Sequence, residues 1–77
     1  MRRDPLTARQ RELLTFIGAY KRQYECAPSL HEMAEHLEVE HVNAANDHLK
    51  ALQKKGYVHI LHDRHGKRMR RAIKVLP

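Results

Sequence analysis

Two helix-start signals constrain this chain more than any other feature. Thr7-Ala8-Arg9-Gln10 and Ser29-Leu30-His31-Glu32 both follow the pattern of a hydroxyl residue, two spacers and Gln or Glu. In such a capping box the hydroxyl accepts from the backbone three residues on, and the Gln or Glu side chain reaches back. Behind the first box, Leu13, Leu14, Ile17, Tyr20 and Tyr24 fall on one helical face, which predicts a helix over 7–24. Behind the second, Leu30, Met33, Ala34 and Leu37 predict a shorter one over 29–37. Cys26-Ala27-Pro28 separates them. A chain of 77 residues has room for one core and little room for an enclosed active site.

The third helix is predicted over 42–55, after a short connector of Glu38, Val39 and Glu40, with Ala45, Leu49 and Leu52 facing inward. Its last turn carries Lys54-Lys55, which suits the negative end of a helix, and Gly56 can take the left-handed capping conformation. The pattern then changes. Tyr57-Val58-His59-Ile60-Leu61 and Ala72-Ile73-Lys74-Val75-Leu76 are β-prone, and a polar, basic loop from His62 to Arg71 lies between them. The expected fold is α+β and mainly α: a three-helix winged helix-turn-helix in one domain over 1–77. It has a polar arm at 1–5 and a C-terminal β-hairpin wing over 57–76.

Composition excludes several classes of function. The single cysteine, Cys26, allows no internal disulfide and fits a reducing compartment. Cys26 has neither an adjacent base nor a visible pocket to make it a nucleophile. No apolar run approaches the roughly 18 residues a membrane span needs, and Met1-Arg2-Arg3-Asp4-Pro5 leads into no signal-peptide core. The acids are scattered and no Gly-rich phosphate loop is present. No enzyme activity, cofactor or small-molecule substrate is therefore expected. Fifteen Lys and Arg against nine Asp and Glu give a formal net charge of +6, which suits a polyanionic partner.

Two short helices joined by a tight connector form a helix-turn-helix candidate. A helix of this kind fits the major groove of duplex DNA, where base edges present distinct donors and acceptors. The outward residues near the start of the third helix are Asn43, Asn46, Asp47 and Lys50. Asn pairs bidentately with adenine, Asp accepts from the cytosine amine, and Lys reaches guanine or phosphate. The alternative is an ordinary exposed helix start, where Asn and Asp are favoured anyway.

A resemblance sharpens this reading. Leu6-Thr7-Ala8-Arg9-Gln10, Pro28-Ser29 with Glu32-Met33-Ala34 and Leu37, Asn43-Ala44-Ala45, His48-Leu49-Lys50-Ala51-Leu52, Lys55-Gly56 and a hairpin ending at Ile73 to Leu76 resemble the DNA-binding domains of LexA repressors. The likeness covers about residues 6–76. It implies a repressor of the SOS type that sets its third helix in the major groove of a CTGT-type half-site. The base-facing positions it implies are His41, Asn43, Ala44, Asn46 and Asp47. His41, Asn46 and Asp47 depart from the family pattern, which has Ser or similar at the first and Glu at the other two. Glu38 stands where the family usually has Gly. Phosphate contacts are expected from Thr7, Arg9, Ser29 and Lys50, and from Arg64, Lys67, Arg68, Arg70 and Arg71 in the wing. Lys74 adds to that basic run, and no acid occurs over 64–77.

The family couples this domain to a self-cleaving peptidase with a Ser-Lys dyad, which also dimerises it. Nothing in these 77 residues resembles that part, so the chain is expected to be either an excised domain or a stand-alone protein. Double-stranded DNA is the expected partner, with a homodimer on a two-fold operator or a partner regulator protein, in the cytoplasm of a bacterial or phage-infected cell. A protein-interaction winged helix, acting as cofactor or anti-repressor of such a regulator, is the competing class. Structured RNA is a weaker third, because Phe16 and the three tyrosines read as internal or isolated rather than as a stacking platform. His59, His62 and His65 are evenly spaced, but on strand and loop they do not gather as metal ligands, so no metal is expected. From the residues alone, His31, His36, His41 and His48 read as surface or helix-packing residues.

Overall fold

The computed structural model describes residues 5–62, 64–65 and 68–76, with residues 62 and 68–72 described through their backbone alone. Helices α1 (Ala8–Tyr24), α2 (Leu30–Leu37) and α3 (Val42–Lys54) are followed by strands β1 (Val58–His62) and β2 (Arg68–Val75). The three-helix winged helix-turn-helix expected from the sequence is the fold observed. Both capping boxes form. Thr7 Oγ1 accepts from the Gln10 amide at 3.2 Å and Gln10 Oε1 accepts from the Thr7 amide at 3.1 Å. Ser29 and Glu32 exchange the same pair of bonds at 3.2 and 2.8 Å.

The core lies where the three helices meet the hairpin. Leu13 and Ile17 of α1, Met33 and Leu37 of α2, Leu49 and Leu52 of α3, and Val58 of β1 are all sealed from solvent. Ile60 and Ile73 close the core from the hairpin, and Ala27 and Pro28 close it from the α1–α2 connector. Tyr24, expected on the inner stripe of α1, is instead 55% exposed. The final turn of α1 runs past the edge of the core, and the Tyr24 ring packs on Tyr20 with centroids 4.5 Å apart.

α2 and α3 end in the same way with different residues. At the end of α3, Gly56 (φ 88°) donates to the Gln53 carbonyl at 3.0 Å and Tyr57 donates to Leu52 at 2.9 Å. At the end of α2, Glu38 (φ 58°) donates to Glu35 at 3.2 Å and Val39 donates to Ala34 at 3.0 Å. Both are Schellman ends, which favour glycine at the left-handed position. An L side chain there costs about 1–2 kcal/mol, part of which glycine returns through its greater freedom in the unfolded chain. The Glu38 carboxylate also stands at the negative end of α2. Glu38→Gly is therefore expected to stabilise the domain by about 0.5–1 kcal/mol, read as a rise in Tm of about 2–8 °C. An unchanged or lower Tm would contradict the left-handed assignment of residue 38.

The hairpin differs from expectation in one respect. β1 runs through His62 and β2 begins at Arg68, so both strands extend into the stretch from His62 to Arg71 expected as a loop. Basic side chains do not oppose strand pairing, which is made by the backbone. The register is Val58 with Val75, His59 with Lys74 and Ile60 with Ile73, then shifts between Ile60 and His62 so that His62 pairs with Arg68. A two-stranded hairpin is marginal alone. This one is fastened to the helices by side chains reaching its backbone: Gln53 Oε1 of α3 accepts from the Ile60 amide at 2.7 Å, and Lys21 Nζ of α1 donates to the Ile73 carbonyl at 2.7 Å.

Candidate nucleic-acid interface

α2 and α3 are joined by four residues, 38–41. Val39 folds in against the core, which leaves α3 standing beside α2 with one side free. The buried positions of α3 are Ala45, Leu49 and Leu52. At about 100° per residue, positions 43, 46, 47 and 50 fall on roughly the opposite side. Asn43, Asp47 and Lys50 are exposed, and Asn46 is half-buried. The structure thus brings these four polar residues onto one stripe, from the first turn of α3 to just past its middle. Ala44 is half-buried on the flank of that stripe. His41 is the exposed, extended N-cap (φ −122°, ψ 143°), and its side chain makes no capping bond.

The expected phosphate-contacting residues are dispersed. Thr7 and Ser29 sit at the starts of α1 and α2, and each hydroxyl oxygen is used as an acceptor by its capping box. A hydroxyl has one hydrogen to donate besides its acceptor capacity, so capping leaves that hydrogen for another acceptor. Arg64 is exposed in the turn of the wing. Arg68, Arg70 and Arg71 lie on β2 rather than in a loop. Lys67 and the side chains of those three arginines lie outside the described residues, as do residues 1–4 of the arm. Arg9 has an internal role that its sequence position did not disclose. Its Nη1 donates to the Leu37 carbonyl at 2.8 Å and lies 3.6 Å from Glu12 Oε2. A guanidinium at the last carbonyls of α2 complements that helix's dipole.

Several fastening residues escaped sequence reasoning. Gln10 Oε1 accepts from Lys55 Nζ at 2.6 Å as well as from Thr7, and Lys55 Nζ also donates to the Pro5 carbonyl at 2.9 Å. The start of α1 is thereby tied to the end of α3. The partners are 45–50 residues apart in sequence, and no local pattern reports such a pair.

The aromatic residues also depart from expectation. Phe16 stacks on His36 with centroids 4.1 Å apart and planes 5° apart. Phe16 meets Tyr20 edge-on at 5.8 Å, and Tyr20 meets Tyr24. Rather than internal or isolated rings, they form a connected row on the outside of α1 and α2. The cause is the i, i+4 spacing of 16, 20 and 24, which aligns them on one helix flank. Tyr20 Oη donates to Glu32 Oε2 at 2.6 Å, and Glu12, Glu32 and Glu35 line the adjoining shallow hollows. Glu32 and Glu35, which share one hollow with Phe16 and His36, oppose the approach of a phosphate backbone there.

Among the described residues, no group of three His, Cys, Asp or Glu side chains could hold a metal ion. Nor is any described helix long and apolar enough to cross a membrane.

Three helices, a four-residue connector before the third, a polar stripe on that third helix and a C-terminal hairpin define a winged helix-turn-helix domain. Comparison with known proteins narrows the class. The chain belongs to the LexA DNA binding domain family, whose model matches residues 3–66. It is 44% identical over 55 residues to the LexA repressor of Myxococcus xanthus (strain DK1622), covering 71% of this chain and 25% of that protein. It is 35% identical over 74 residues to the LexA repressor of Petrotoga mobilis (strain DSM 10674 / SJ95), covering 96% of this chain and 33% of that protein. A third relative, the LexA repressor of Geobacter metallireducens (strain ATCC 53774 / DSM 7210 / GS-15), is 38% identical over 55 residues, covering 71% of this chain and 27% of that protein. The chain thus spans a quarter to a third of the length of these relatives.

Proposed function

We propose that this chain is a sequence-specific duplex-DNA-binding module of a transcriptional repressor, acting in the bacterial cytoplasm by occluding its operator. α3 enters the major groove of a CTGT-type half-site. His41, Asn43, Ala44, Asn46 and Asp47 face the bases. Thr7, Arg9, Ser29 and Lys50, with Arg64, Lys67, Arg68, Arg70 and Arg71 of the wing, meet phosphates. The observation that carries this reading is the polar stripe at the start of α3, set opposite its buried face. Family membership and the net charge of +6 support it. A two-fold operator takes two copies, held by a further dimerising element or a partner regulator. The role is binding alone, with no reaction and no cofactor.

Fluorescence anisotropy on a labelled duplex with two CTGT-type half-sites, beside a scrambled duplex, tests this over a salt series. About 5–8 phosphate contacts give a slope of log affinity on log salt of about −4.5 to −7. Preference for the half-sites is the expected result. Steep salt dependence without preference would retain DNA binding and discard the half-site. A second reading, a module that docks on a partner regulator, draws on the partly exposed aromatic row of α1 and α2. Absence of binding to either duplex at low salt would put that reading first.

A further inference from the structure

Two side chains from the helices grip the wing at one rung. Ile60 and Ile73 are direct partners across the hairpin. The Ile60 amide points out of the ladder to Gln53 Oε1 at 2.7 Å, and the Ile73 carbonyl points out to Lys21 Nζ at 2.7 Å. Outward-facing groups at one pair mark a non-hydrogen-bonded rung of an antiparallel ladder. Both outer edges of the hairpin are therefore held at the same level, by α3 on one side and α1 on the other. Both isoleucine side chains are also buried there. Immediately beyond this rung the register shifts, between Ile60 and His62. Extra residues on one strand of a pair bend and twist that strand. On β2 the shift falls between Ile73 and Arg68, in the stretch that carries Arg70 and Arg71, and Arg64 lies beyond it.

The geometry points to Gln53 and Lys21 as positioning residues that aim the wing, fixing the angle between the basic hairpin and the reading helix. This rests on the DNA-binding reading above. The apolar contacts of Ile60 and Ile73 hold the hairpin to the core, but such contacts are non-directional. Two short polar bonds on opposite edges of one rung remove the remaining freedom to rock. Gln53 stands in the last turn of α3 itself, so the wing takes its direction from the helix that reads the bases. Without the clamps the wing stays folded onto the core but no longer meets its phosphates at a fixed place. Base readout by the first half of α3 does not depend on them.

Gln53→Met and Lys21→Met remove one clamp each while keeping most of the aliphatic volume. Lys21→Arg retains a donor at similar reach. The measurements are anisotropy salt series on the half-site and scrambled duplexes, with circular dichroism of each variant and amide exchange at Ile60. Either Met variant is expected to flatten the salt slope by about 2–3, the loss of two or three phosphates at ~0.9 each. The preference for the half-site duplex stays within about twofold, a change of under ~0.5 kcal/mol. Faster Ile60 exchange in Gln53→Met and a recovered slope in Lys21→Arg complete the expected pattern. Slopes unchanged in both Met variants would overturn the inference while leaving DNA binding in place. Unfolding of both variants would also overturn it, because the clamps would then hold the core together rather than aim the wing. Absence of wild-type DNA binding would defeat the functional reading itself.

Discussion

Leu49→Ala is expected to remove about 2–5 kcal/mol of stability, the largest effect of any substitution considered. Leu49 is fully buried in α3, the helix that packs on both α1 and α2. Truncation loses the transfer energy of the side chain and leaves a cavity that three helices and a hairpin close only in part. Total stability at this size is about 4–12 kcal/mol, taking ~0.05–0.15 kcal/mol per residue. A loss at the upper end leaves much of the population unfolded. Urea denaturation reads it directly, with the midpoint falling and the m-value nearly unchanged. Lys54→Ala, at an exposed position on the same helix, is the control and should stay within about 0.5 kcal/mol of wild type. A Leu49→Ala loss below about 1 kcal/mol would mean that α3 does not seat on the core as described.

Asn43→Ala is expected to have the largest effect on recognition. A bidentate contact to a base is worth about 1–3 kcal/mol of discrimination, or roughly 5- to 150-fold in the ratio of affinities for half-site and scrambled duplex. Asn43 is exposed and carries no charge, so neither folding nor the salt slope should change. Lys50→Ala gives the opposite signature under the phosphate assignment. It weakens both duplexes alike and lowers the slope by about 0.9. An Asn43→Ala variant that keeps full preference would remove residue 43 from the reading face. Attention would then move to His41, Asn46 and Asp47, the three positions that depart from the family pattern.

Much of the scaffold was legible because its signals are local. Thr7 with Gln10 and Ser29 with Glu32 each lie within one helical turn, so the capping boxes marked the starts of α1 and α2 from sequence alone. Gly56 marked the end of α3 in the same way. The extent of the wing was harder to see. The start of β2 is decided by backbone pairing with β1, to which the run Arg68-Met69-Arg70-Arg71 contributes no apolar alternation. Arg9 shows how a charge alone under-reports a role. Besides the phosphate contact its charge suggests, it donates to the Leu37 carbonyl, 28 residues away in the chain, which no charge pattern reports.

Signals local to the chain specify the helices, the class of fold, the family and the polar face of α3. Each of these depends on periodicity, caps and motifs that span a few residues. Tertiary structure alone decided how the pieces are held to one another: Arg9 on the end of α2, Gln10 with Lys55, Phe16 against His36, and Gln53 and Lys21 on one rung of the wing. Those contacts join residues that are distant in the chain. A polar side chain reads the same on a surface whether it is solvated or reaching another element's backbone. Only the packing of the buried residues brings donor and acceptor within bonding distance.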